Sequence, residues 1–366
     1  MGRKVLIIQR FYYNFREGFF NYLSEINFDF KLINATFSRG RVKVHDEAKS
    51  KSFLEKIFYF FIGENYVIFP FLFFSLIRIN PLIIVTEGGQ NTINNFQVLL
   101  YCMIFNRKYI IWDLGKDYAD FISTLQRRVY MKFYKFILIH SFLIYGYNSR
   151  SKAYFKKLGI EESKLVILNN TIDTRKIRSL KSDYVSEVPN ELSEQSEGEY
   201  IFFIYVGTLL KSKKIESMAE LLKMLGEKYF LIIVGDGTHE YKIELEKSFE
   251  GTKHIFVGYK RLEQLMPYYK LASFSILPGL GGLSMNQSMA FSVPVICSMA
   301  DGAEKDLIIA DETGYIYKDL DDAYNYIISK TRDQWREMGR KSESFLYANY
   351  SLESMMNRFI HHTNVI

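Results

Sequence analysis

Residues 278–283 read PGLGGL, and they stand between an apolar run ending near Leu277 and a helical pattern over Ser284–Phe291. Glycines at a strand-to-helix junction let the backbone come close to a partner. A helix N-terminus adds unpaired N–H groups and roughly half a positive charge, a combination that suits a phosphate. Without side chains at Gly279, Gly281 and Gly282, a diphosphate could sit directly on those amides, with Lys213 adding a cation from an earlier loop. Lys213 alone reads as one more solvated lysine in the run 211–214 (KSKK). Gln287 falls about one turn inside the helix, where its amide could bond ligand hydroxyls.

Three other apolar runs in this half end in small or polar residues. Gly207 and Thr208 follow one, Gly235 and Asp236 a second, and Val257, Gly258 and Tyr259 close a third. One glycine after a strand is ordinary turn chemistry. Four such ends in succession point to a binding cleft, because parallel sheets bind ligands beyond the carboxyl ends of their strands. In the first half, Glu87 and Asp113 also follow apolar runs. Either could take a hydroxyl proton or hold an acceptor, and either could equally cap a turn. Arg10 and Arg16 could meet a phosphate, with surface solvation the commoner role for such residues. Asp319-Leu-Asp-Asp322 has the spacing of a metal-nucleotide motif, but it precedes a helical run, where capping explains it. The six histidines have no ligand spacing, and no metal site is expected.

The elements that must position these residues alternate. Runs at Lys4–Gln9, Pro81–Thr86, Tyr109–Trp112 and Leu165–Leu168 are nearly all apolar, as are Tyr200–Val206, Tyr229–Val234, His254–Val257, Ala272–Leu277, Val295–Cys297 and Gly314–Tyr317. Such runs fit strands covered on both faces, and helix-like segments such as Lys214–Leu225 and Glu240–Phe249 lie between them. This βαβα pattern occurs twice, as expected for an α/β protein with two doubly wound, Rossmann-like domains. A length of 366 residues suits two domains. Residues 1–178 form the first, 179–199 an acidic, polar linker or exposed insertion, and 200–345 the second. Residues 346–366 form a closing helix that can pack back on the first domain.

Charge is unevenly placed. Residues 1–178 hold 27 Lys and Arg against 14 Asp and Glu, a net of +13; the remainder holds 20 against 27, a net of −7. The basic half carries the apolar stretch 57–79 and cations at positions 127, 128, 132 and 135 on one helical face. An anionic membrane surface is the expected partner, since no nucleic-acid module is recognisable. The stretch 57–79 is interrupted by Glu64, Asn65 and Pro70, which disfavours a membrane span. Two distant cysteines, Cys102 and Cys297, fit a reducing compartment, and the short apolar start at Val5 reads as a strand rather than a secretory signal.

The second half resembles the donor-binding domain of family 4 retaining glycosyltransferases, which have the GT-B fold. The resemblance runs in order through VGTLLKSKKIE (206–216), LIIVGDGTHEYKIELEK (231–247), IFVGYKRLEQLMPYYKLASFSILPG (255–279), GGLSMNQSMAFSVPVI (281–296) and DETGYIY (311–317). Asn169–Thr174 is similar to the family's domain junction and Tyr350–Phe359 to its closing helix. The resemblance implies two Rossmann-like domains with an intervening cleft, in which a sugar moves from a UDP- or GDP-linked donor to an acceptor with retention of configuration. It implies that Lys213 holds the diphosphate, that Gly279–Leu283 contacts sugar and phosphate, and that Phe256–Tyr259 borders the base. Gln287 takes the place of the glutamate that binds ribose. No cofactor beyond the donor substrate is implied.

The chain also departs from the family. Gly279 replaces the first of two glutamates, Thr208 replaces an arginine, and no histidine ends the run Tyr109–Trp112. A retaining transfer must steady an oxocarbenium-like centre while the leaving diphosphate is neutralised, and Glu87 and Asp113 are the front-half candidates. The expected protein is a cytoplasmic glycosyltransferase, peripheral at the inner membrane face, serving a glycan or lipid-linked acceptor in surface-polysaccharide assembly. A non-catalytic subunit that binds a nucleotide sugar or a partner is the rival. A nucleotide-sugar epimerase is the weaker alternative.

Overall fold

Among the described residues fourteen strands form, and twelve of them pair in parallel. The computed structural model describes residues 5–35, 51–63, 66–116, 124–182, 188–300 and 302–364. Its contacts divide into two units, Met1–Asn170 with Met355–Ile366, and Thr171–Ser354.

In the first unit the strands are β1 (Val5–Phe11), β2 (Phe30–Ala35), β3 (Phe60–Ile62), β4 (Tyr66–Ile68), β5 (Ile83–Glu87), β6 (Lys108–Asp113), β7 (Leu143–Gly146) and β8 (Leu165–Ile167). The six-stranded sheet runs β2-β1-β5-β6-β7-β8, all parallel, while β3 and β4 form a separate antiparallel pair. Strand order reverses between β1 and β5, which opens a crevice at their carboxyl ends. The register of β1 against β2 slips between Ile8 and Phe11, across Gln9 and Arg10. Such an irregularity re-aims side chains beside a site.

The second unit carries β9 (Ile201–Val206), β10 (Tyr229–Val234), β11 (His254–Gly258), β12 (Phe274–Leu277), β13 (Val295–Ser298) and β14 (Gly314–Tyr317). They run β11-β10-β9-β12-β13-β14, all parallel, with the reversal between β9 and β12. Burial of β9 and β10 is complete along their length. A strand covered on both faces by helices can be apolar at every position, which is why these runs do not alternate.

Side-chain caps start several helices where the sequence changes from strand to helix. Thr238 accepts from Tyr241 N, and Asp319 accepts from Asp322 N at 2.9 Å. Asp322 accepts in turn from Tyr315 Oη and Lys318 N. The Asp319–Asp322 motif is therefore spent on capping. The acidic stretch 179–199 belongs to the second unit. Its described part carries the end of the helix Thr174–Ser182 and the short helix Ser193–Ser196, and Leu192 is fully buried in that unit's core. Glu191 accepts from Tyr268 Oη and pairs with Lys260 at 3.2 Å. Residues 183–187 lie outside the described residues.

The stretch 57–79 is divided among β3, β4 and the helix Leu72–Ile79; Glu64 and Asn65 lie outside the described residues. Among the described residues no helix is long and apolar enough to cross a membrane. The cations at 127, 128, 132 and 135 lie on the helix Thr124–His140. The closing helix Leu352–Asn364 supplies Phe359, which packs on Phe19 and Phe28 of the first unit.

Candidate functional site

In the second unit the loops after β9, β10, β11 and β12 are laced together by their backbones. Gly207 N donates to Val234 O at 3.0 Å, Leu209 N to Asp236 O at 2.8 Å, and Gly235 N to Gly258 O at 2.9 Å. Leu280 N donates to Ser212 O, and Lys213 Nζ donates to Leu280 O. Gly207, Thr208, Lys213, Gly235, Asp236, Gly258 and Gly279–Leu283 thus share one rim, at the carboxyl edge beside the β9–β12 reversal. Asp236 also pairs with Lys242 at 3.0 Å. Val257 and Tyr259 flank Gly258 at the end of β11, with Tyr259 largely exposed.

Three glycines that look alike in sequence have three different causes. A Cβ on Gly279 would lie 2.5 Å from Ser212 O and 2.7 Å from Lys213 C, so that position is bare because the 211–213 turn crosses it. A Cβ on Gly281 would press on Met285 and Leu277 at 3.1 to 3.3 Å. Only Gly282 faces open space, with φ +55°. Close approach of other atoms accounts for Gly279 and Gly281, and of the three Gly282 alone has open space beside it. Gly235 obeys the same logic as Gly279, since its Cβ would meet Gly207 O at 1.8 Å.

Gly282 also precedes the helix Leu283–Ala290, which has no side-chain cap. No side chain covers its first turn, where Ser284 N turns back to Gly281 O at 3.3 Å, and an uncapped start is what an anion site requires. Gln287 is half-buried on that helix, 3.5 Å from Tyr269 Oη, which donates to its Oε1. A separate cavity of about 250 Å³, lined by Tyr200, Lys270, Arg332 and Arg336 among others, lies at the amino ends of the strands, away from these loops.

In the first unit Glu87 stands at the carboxyl end of β5, next to the reversal. Its Oε1 is 2.6 Å from Arg10 Nη2, and its Oε2 accepts from Arg10 N at 3.0 Å. Tyr13 Oη adds a donor at 3.3 Å, and Arg10 Nη1 also donates to Gln90 Oε1. Burial alone would raise the Glu87 pKa, but the charge and hydrogen bonds of Arg10 outweigh it and hold it below the usual carboxylate range. Glu87 is therefore an anion at neutral pH, suited to steadying positive charge and poorly suited to taking a proton. Asp113 is 2% exposed; it accepts from Gly115 N at 2.6 Å and from Tyr134 Oη. A Cβ on Gly88 would sit 2.0 Å from its Oδ2. The turn-anchoring role accounts for these contacts.

Arg10 and Arg16 are not the solvated residues expected from sequence: they are 8% and 3% exposed. Arg16 lies 3.5 Å from the Trp112 ring centroid, and its Nη2 donates to Tyr147 Oη at 2.5 Å. Burial raises the Tyr147 pKa. Tyr13, Gln90, Trp112 and Tyr147 were not anticipated. Tyr147 is 131 positions from Arg16, and no local spacing signals that pairing. Among the described residues no group of three His, Cys, Asp or Glu is placed to hold a metal ion.

Residues 190–342 match the family "Glycosyl transferases group 1". The chain is 24% identical over 167 residues to the uncharacterized glycosyltransferase MJ1178 of Methanocaldococcus jannaschii, covering 44% of this chain and 47% of the relative. It is 27% identical over 146 residues to the sulfoquinovosyl transferase SQD2 of Arabidopsis thaliana, covering 38% and 28%. The chain thus spans about half or less of the curated relatives it matches. Anabaena HepE (Alr3699), solved in complex with UDP, superposes with a TM-score of 0.76 at 12% identity, covering 99% of this chain and all of that one. Two parallel-sheet, Rossmann-like domains of the GT-B kind define the fold, and residues 190–342 are similar to the group 1 glycosyl transferases.

Proposed function

We propose that the protein transfers a sugar, with retention, from a UDP- or GDP-linked donor to a glycan acceptor. The observation that carries this reading is the rim of the second unit, which lies within the matched segment 190–342. Gly282 is open there, the helix behind it is uncapped, and Lys213 stands on the neighbouring turn. The UDP complex of HepE supports a nucleotide donor. Lys213 steadies the leaving diphosphate, Gln287 binds hydroxyls, and Glu87 supplies negative charge on the first unit.

The acceptor in this reading is lipid-linked and met at an anionic membrane, within surface-polysaccharide assembly. The first unit's surface favours it. The helices Leu72–Ile79, Thr92–Phe105 and Thr124–His140 expose Phe74, Phe96, Met103, Val129 and Phe136, with Phe71 exposed just before the first, although soluble surfaces seldom expose so many large apolar side chains together. Arg127, Arg128 and Lys132 are exposed on the same helix as Val129 and Phe136. A cavity of about 320 Å³ lined by Arg107, Lys108, His140 and Lys164 opens beside Phe142.

The test is a panel of nucleotide sugars, read by thermal shift and by release of nucleoside diphosphate. A true donor at a hundred times its dissociation constant stabilises by about 2.7 kcal/mol. No shift with any member would end the donor reading. Binding without turnover would favour the non-catalytic rival, which has one observation behind it: the turn over Gly279 leaves no room for an acid there. Within the site, Lys213→Ala is expected to weaken UDP by about 1–3 kcal/mol, the range for a hydrogen bond to charge, measured by calorimetry.

A further inference from the structure

Arg16 is an unusual cation to find buried. Among the described residues no carboxylate lies within ion-pair distance of it, whereas Arg10 has Glu87 as counter-ion. Its Nη2 is bonded to Tyr147, but Nε and Nη1 have no hydrogen-bond partner. Buried polar groups in folded proteins are nearly always paired, and an unpaired buried charge is the costliest exception. One more orphan donor, Trp112 Nε1, belongs to a side chain lining the same cavity as Arg16, which Glu87 also lines.

That cavity lies at the carboxyl ends of β1, β5 and β6, where the strand order reverses and where the register of β1 slips. Both are marks of a ligand position in a doubly wound sheet. It offers about 10 Å³, the room of a single water or of one oxygen atom. The open hydrogen-bond donors decide between them. Arg10 answers Glu87, which also lines the cavity and is held low by the charge of Arg16 as well, and the buried Asp113 accepts from Gly115 and Tyr134. Arg16 Nε and Nη1 and Trp112 Nε1 leave three donors unanswered on residues lining the cavity, which suits an oxygen that only accepts, as an oxyanion's does.

We propose that Arg16, with Trp112, forms an oxyanion receptor in the first unit that seats one oxygen of a phosphate or carboxylate group. Its natural ligand is the anionic group of the acceptor, a step that rests on the proposed glycosyl transfer; the anion site does not.

The chain contains two tryptophans, so Trp335→Phe leaves Trp112 as the sole reporter beside Arg16. Inorganic phosphate and acetate are titrated separately at constant ionic strength while its fluorescence is followed. The expected result is a saturable change with at least one of them. Phosphate alone assigns a phosphorylated acceptor, acetate alone a carboxylate-bearing sugar, and both an oxyanion site without preference. Arg16→Gln is expected to weaken the response at least tenfold. Arg16→Lys, which keeps the charge and guards against loss of the fold, is expected to weaken it three- to tenfold. Lys213→Ala should leave it intact, because that lysine belongs to the donor rim. No saturable change means that the cavity holds only water and overturns the proposal. So does an unchanged constant in both Arg16 variants, or a response abolished by Lys213→Ala. A failed donor panel with an intact Trp112 response would remove the acceptor but not the receptor.

Discussion

At the scale of single residues, the same amino acid serves opposite ends depending on what crosses it. Gly279 is bare because backbone passes over it and Gly282 because nothing does. Gly279→Ala is therefore expected to displace the turn that carries Lys213, costing about 1–3 kcal/mol in stability and lowering UDP affinity with it. A melting temperature equal to the parent's would contradict the close approach. Glu87 makes a second residue-scale prediction. Its folded pKa is depressed, so the ion pair contributes in full above the unfolded value of about 4.3 and is lost as pH falls through the folded value. Glu87→Gln leaves Arg10 buried without its counter-ion and should cost about 3–5 kcal/mol at pH 7. Melting followed against pH should show the variant and the parent converging in acid. A constant gap would mean the carboxylate is not depressed. Glu87 was legible as a strand end in sequence. Its partner Arg10 was not, because 77 positions separate them and nothing local links a β1 arginine to a β5 glutamate.

At the scale of elements, legibility followed burial. The strands β10 and β14 have the bounds read from sequence, and the other strands of the second unit lie within two residues of theirs, because each is a nearly all-apolar run closed by glycine or polar residues. The first unit was harder. β2, Phe30–Ala35, contains Lys31 and Asn34, and β7, Leu143–Gly146, follows so soon after the helix Thr124–His140 that the two merge into one apolar stretch. The helix Thr92–Phe105 uses buried Asn94 to bond Val67 O and Phe69 N, a role that composition disguises as a turn signal. The exposed side of Thr124–His140 gives this scale its own prediction. Three cations there, each worth about 1 kcal/mol against an anionic surface, imply that replacing Arg127, Arg128 and Lys132 with Ala weakens binding to phosphatidylserine vesicles by about 3 kcal/mol. Co-sedimentation at low and raised salt reads it. Binding unaffected by the triple change would remove electrostatics from the membrane proposal.

At the scale of the whole chain, the path of the polypeptide matters more than any one contact. The chain builds the first unit, then the second from Thr171 to Ser354, and its last helix then rejoins the first unit. Phe359 on that helix is fully buried against Phe19, at 5.0 Å between centroids, and lies 6.4 Å from Trp112. The first unit therefore cannot complete its core until the helix carrying Phe359 is made, whereas the second has its own core in which Trp335 is buried. Each unit so holds one of the two tryptophans, and each can be watched alone. Phe359→Ala removes a buried ring at a cost of about 3–5 kcal/mol, charged to the first unit. In urea, the transition reported by Trp112 in a Trp335→Phe background should move to lower denaturant, and the one reported by Trp335 in a Trp112→Phe background should not. If both move together by the same amount, the two units unfold as one cooperative body, and the closing helix stabilises the chain as a whole rather than the unit it packs on.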